Sequence, residues 1–169
     1  MMTRTVVLGA VLLSLTMSGL ALAQAVFTKA QVADRIRKVE DGVDEFRDWA
    51  EKRAERGQAN AQSARSSGRT RGRTATESQK EVAREKKDEL EDALDDLNRS
   101  TNRLRRQFDP TDKWMETRPQ VERVLEDGRE INQVMVRGKY GTDAERYWGL
   151  LRTALNDLAR AYNLTPLAL

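Results

Sequence analysis

The chain has no cysteine and no histidine among its 169 residues. That excludes Ser-His-Asp and Cys-His nucleophile pairs, His/Cys zinc sites, haem held by His or Cys, and any disulfide framework. A di-iron bundle of the Glu-x-x-His type is excluded on the same ground. Proline is scarce, at three residues, and aromatics make up 5%. The Gly, Ser and Pro residues show no strand-turn-strand spacing. Charge is abundant. There are 30 Lys and Arg against 27 Asp and Glu, for a formal net charge of +3.

Residues 1–25 have the three parts of a secretory signal peptide. Arg4 supplies a short positive region, and residues 6–15 (VVLGAVLLSL) are an apolar run. Small-x-small cleavage patterns end at Ala23 and at Ala25. The alternative is a retained anchor, because residues 6–23 approach the roughly 17-residue minimum for a spanning helix. The cleavage patterns and the Ser and Thr content favour removal. An exported product, periplasmic or secreted, is therefore expected, with residues 26–169 as its single domain. That domain carries 29 basic against 27 acidic residues. A chain so near neutrality is no general polyanion binder, so any electrostatic function must come from local patches.

Four apolar stripes step along the domain at alternating intervals of four and three, the heptad pattern of packed helices. The first holds Val32, Ile36, Val39, Val43, Phe46 and Ala50, with Thr28 as its N-cap. Gly42 falls off this stripe. The second holds Leu90, Leu94, Leu97, Thr101, Leu104 and Phe108, and Asp109-Pro110 ends it. Thr76 or Ser78 can cap its start. The third holds Val121, Val124, Leu125, Gly128, Ile131 and Met135. Pro119 suits its first turn and Gly138 its end. The fourth holds Ala144, Trp148, Leu151, Leu155, Leu158 and Tyr162. Thr142-Asp143-Ala144-Glu145 reads as its capping box, with Asn163 and Pro166 at its close. The expected fold is all-α, an antiparallel up-down-up-down four-helix bundle.

Facing residues of antiparallel neighbours have a constant sum of numbers, which gives a register. It opposes Val39 to Leu97 and Phe46 to Leu90 in the first pair. In the second pair it opposes Ile131 to Trp148, Gly128 to Leu151 and Val124 to Leu155. Beyond Phe46 and Leu90 little is apolar, yet helical composition continues. At 1.5 Å per residue the first two helices would reach about 45 Å, against about 30 Å for the fourth. The first hairpin is therefore expected to project as a charged two-helix arm with little apolar contact.

The tip of that arm, residues 57–76 (GQANAQSARSSGRTRGRTAT), contains no acidic and no aromatic residue. Its composition predicts a basic, low-complexity loop. Arg65, Arg69, Arg71 and Arg73 are the candidate anion-binding residues, since a guanidinium fork suits phosphate and carboxylate. The partners this suggests are an anionic envelope polymer, a lipid surface or an acidic protein patch. Nucleic acid is disfavoured, because base stacking needs aromatics and export removes the usual partner. The plainer reading is a solvated linker.

Residues 77–99 hold nine acidic and five basic residues. Asp88, Glu89, Glu91, Asp92, Asp95 and Asp96 are oxygen ligands of the kind calcium or magnesium takes, but a helix spreads them around its circumference and no EF-hand loop is present. A soluble helix face is the expectation, and no metal or cofactor is implied. Carboxylate catalysis needs two acids at fixed separation in a cleft, which filled helical seams do not offer. Tyr140, Tyr147 and Tyr162 show no recognisable partner set, so no catalytic residue is assigned and no enzyme is expected. Trp148 lies on its stripe and Trp49 one step off. Trp114 is placed to plug the bundle's end together with Tyr162, Leu164, Leu167 and Leu169.

The stretch 148–164 (WGLLRTALNDLARAYNL) resembles the last helix of uncharacterised exported bacterial helical-bundle proteins. The resemblance implies an envelope setting and four helices, and it brings no activity and no site residues. The sequence therefore points to an exported, non-enzymatic bundle that works by contact, through the arginine loop. Self-association of bundles is a second reading. A small-ligand carrier or enzyme with an interhelical pocket is a third.

Overall fold

The computed structural model describes residues 27–66 and 73–168. The proposed signal peptide at 1–25 lies outside the described residues. Those described form four α-helices: α1 Lys29–Ser66, α2 Arg73–Phe108, α3 Arg118–Gly138 and α4 Thr142–Ala161. A 3₁₀ turn, Trp114–Thr117, joins α2 to α3, and there is no strand among the described residues. None of the described helices is long and apolar enough to cross a membrane.

Every residue of the four apolar stripes is buried. Burying each large aliphatic side chain contributes about 1.5–3 kcal/mol, so the stripes supply the stability that disulfides cannot. α1 packs on α2 and α4, and α3 packs on the same two helices. Between α1 and α2, Arg47 pairs with Asp95 at 3.0 Å, and Glu40 lies 3.6 Å from Arg105. Lys29 donates to the Asp109 carbonyl at 3.0 Å. Between α2 and α3, Glu89 pairs with Arg137 and Lys86 donates to the Gly138 carbonyl at 3.3 Å. On α4, Trp148 Nε1 donates to Asn132 Oδ1 of α3 at 3.1 Å.

The helix ends follow local chemistry. Thr28 caps α1 reciprocally: its hydroxyl accepts from the Gln31 N–H at 3.2 Å, and Gln31 Oε1 accepts from the Thr28 N–H at 3.0 Å. Pro119 lies in the first turn of α3, where its missing N–H costs nothing. The capping box expected at Thr142 does not form. Gly141 is the N-cap, at φ 92°, and its carbonyl accepts from Glu145 at 3.1 Å. The cause is the three-residue turn before it. Lys139 takes the left-handed conformation (φ 52°) and Gly141 the positive φ that completes the reversal. Gly138 is the last helical residue rather than the left-handed one. It is required for a different reason: the Tyr140 ring lies 2.0 Å from where its Cβ would be.

Two register details also differ from the sequence reading. Gly128 faces Leu155 and Leu167, at 2.9 and 3.2 Å from an ideal Cβ, and not Leu151. Leu151 instead sits against Gly42 of α1, 3.2 Å from its ideal Cβ. Gly42 is thus a point of close α1–α4 approach rather than an incidental break. The helices also extend into segment 57–76, α1 as far as Ser66 and α2 from Arg73. Ala59, Ala61, Gln62 and Ala64 are good helix formers, which explains the continuation. Residues 67–72 lie outside the described residues.

Candidate functional site

Polar contacts from the end of α3 and the turn after it gather on one level of α1 and α2. The turn between α3 and α4 forms a collar there. Arg53 of α1 donates to the Tyr140 carbonyl at 2.6 Å, and the Tyr140 hydroxyl donates to the Lys86 carbonyl of α2. Burial, helped by Glu89 and opposed by Arg137, pushes the Tyr140 hydroxyl up to about 12, so it remains a donor at any physiological pH. Among the described residues, polar contacts from α3 and α4 reach no further along α1 than Arg53 and no further back along α2 than Lys86.

Beside the collar lies an open groove of about 710 Å³ between α1 and α4. Trp49 and Tyr147 form its aromatic wall, backed by the buried ring of Phe46, with ring centroids 5.7–6.2 Å apart. Arg53 lies over Trp49, 5.2 Å from the ring centroid, which holds the guanidinium in place. Lys52 pairs with Asp48 at 3.3 Å. Arg56 and Arg146 also line the groove and have no ion-pair partner among the described residues; Glu45 and Asp143 line it too.

Of the four candidate arginines, Arg65 lies in the last turn of α1 and Arg73 opens α2. Arg69 and Arg71 lie outside the described residues. The acidic residues of α2 divide in two. Asp95, Asp96, Glu89 and Glu91 take part in ion pairs with Arg47, Arg99, Arg137 and Lys87. Glu81, Glu85, Asp88 and Asp92 have no ion pair among the described residues and, with Val82 and Arg84, line a shallow depression. No group of three or more acidic residues among those described is placed to hold a metal ion.

The tyrosines do have partners, which sequence reasoning missed. Tyr140 joins the collar and Tyr147 the aromatic wall. Buried Tyr162 shares a 2.8 Å hydrogen bond with Thr117 and packs edge-on against Trp114 at 5.0 Å. A tyrosine between glycines in Gly138-Lys139-Tyr140-Gly141 is the signal that could have pointed to the collar. Asp127 is the one buried acid among the described residues, 2% exposed. Burial raises its carboxyl, against the Ser100 hydrogen bond and the Arg123 charge that lower it. Its Oδ1 lies 3.1 Å from Arg123 Nε but lacks hydrogen-bond geometry.

Comparison with protein families, with curated proteins and with solved structures finds no match to this chain.

Proposed function

We propose that this is an exported, non-enzymatic helical bundle that works by contact. In this reading the four helices run alternately up and down. α1 and α2 outreach α3 and α4 as an arm, and the arm presents Arg65, Arg69, Arg71 and Arg73 to an anionic partner in the cell envelope. The falling order of partners supports the antiparallel arrangement. Lys29, Glu40 and Arg47 of α1 meet Asp109, Arg105 and Asp95 of α2. Likewise Gly42, Phe46 and Arg53 meet Leu151, Tyr147 and Tyr140.

One observation carries the functional reading. α1 and α2 continue past the collar at Arg53 and Lys86, towards a segment with four arginines and no carboxylate. Guanidinium groups on such a mount would pair with phosphate or carboxylate groups, weakly and with strong salt dependence.

The test is binding of the protein to vesicles of anionic lipid and to anionic envelope polymers at low and moderate salt. The variant in which Arg65, Arg69, Arg71 and Arg73 become Ala runs beside it. The reading expects binding that weakens with salt and disappears in the variant. Equal binding by both proteins, or none by either, contradicts it.

A further inference from the structure

The α1–α4 groove and the α2 depression are complementary in charge, apolar content and length. In the groove, Arg56 and Arg146 are unpaired among the described residues, and Arg53 is held over Trp49 beside them. Leu150 stands at the groove's edge, 55% exposed. On α2, Glu81, Glu85, Asp88 and Asp92 recur at intervals of four, three and four, which puts them on one face of the helix. Val82 beside them is 46% exposed. The α1 side of the groove runs from Glu45 to Arg56 and the stripe from Glu81 to Asp92, each about 16 Å of helix. Within one molecule no ion pair among the described residues joins the two patches. The Tyr140 turn, bonded to Arg53 and to Lys86, stands between them.

The geometry points to a second copy of this chain as the occupant of the groove, with its α2 stripe laid along α1 and α4. A plain polyanion fits less well, because Glu45 and Asp143 would repel it. The α2 stripe carries Arg84 among its carboxylates, the charge those two acids require, while Val82 brings apolar surface to Leu150. This is helix-in-groove recognition steered by charge. Groove and stripe are different surfaces of the same chain, so the contact is heterologous. It propagates head to tail into a ring or a filament unless a terminal copy is capped. It does not depend on whether the arm binds an anion.

Sedimentation of the protein expressed from its full sequence, over a range of concentrations, tests the contact. Mass should rise with concentration at low salt and fall towards the monomer at about 0.5 M salt, where the Debye length is only a few ångströms. R56E/R146E reverses the groove and E85K/D88K reverses the stripe. All four side chains are exposed, and circular dichroism checks that the fold is kept. Each variant alone should associate at least about tenfold more weakly than the parent. An equal mixture should regain association, since each reversed patch then meets its complement. A parent that stays monomeric at low salt, variants that associate like the parent, or a mixture that stays monomeric overturns the inference.

Discussion

α1 up to Ala50 and α1 beyond it are one continuous helix with two different reasons to be helical. Up to Ala50, every stripe residue is buried against α2 or α4. From Glu51 to Gly57, every residue but half-buried Ala54 is exposed. α2 mirrors this: Glu81, Val82, Arg84 and Glu85 are exposed, whereas the apolar stripe from Leu90 onward is buried. The packed part is held by tertiary burial. The rest depends on residue propensity, i,i+4 pairs and whatever the two helices offer each other, each worth only tenths of a kcal/mol. The collar at Arg53, Lys86 and Tyr140 marks the change.

The largest test of that contrast is side-chain truncation on each side of it. Phe46→Ala removes a fully buried ring and should cost about 3–5 kcal/mol in a denaturant titration. Val82→Ala, at a half-exposed site, should stay within about 0.5 kcal/mol of the parent. If both cost the same, the two regions do not differ in packing.

A substitution that changes sign between the regions sharpens the comparison. Gly57→Ala meets nothing within 4 Å, so it should gain the helix-propensity difference of about 1 kcal/mol. Gly128→Ala places a methyl 2.9 Å from Leu155 Cδ1 and 3.2 Å from Leu167 Cδ1. Both leucines are themselves buried, which limits how far they can move aside. Overpacking of about 1–3 kcal/mol should outweigh the propensity gain, and thermal melts should show Gly128→Ala destabilised. Helicity by circular dichroism should rise for Gly57→Ala.

A smaller effect concerns acid. The folded-state carboxyl of Asp127 is raised above its ordinary value, chiefly by burial. The folded protein therefore binds this proton more tightly than the unfolded chain. The contribution of Asp127 is fully present below the ordinary value of 3.8 and is lost as pH rises through the raised folded value. Asp127→Asn, isosteric and permanently neutral, should abolish that pH dependence and leave the protein at least as stable at pH 7. A stability-against-pH profile unchanged by the substitution would contradict this assignment.

Much of the core was legible in the sequence, because a heptad stripe states which residues share a helix face. It does not state which turn meets which. A shift of one helical turn still sets apolar against apolar, so the stripes alone oppose Gly128 to Leu151, where Leu155 fills that place. Caps were legible where the side chain acts within its own turn, as at Thr28. They were not where a short connection dictates the backbone, as at Gly141. The collar was invisible for a related reason: Arg53 and Tyr140 bond to main-chain carbonyls, which every residue has. The extent of helix into 57–76 was hidden because composition there argues for solvation, while its alanines and glutamines argue locally for helix.

Residue-resolved amide hydrogen exchange measures directly the difference between the packed and unpacked stretches of α1 and α2. Amides from Val32 to Ala50 and from Leu90 to Phe108 should be protected to near the global unfolding limit. Those beyond Arg53 in α1 and before Lys86 in α2 should exchange orders of magnitude faster. Uniform protection along both helices, with no step at the collar, would contradict the account.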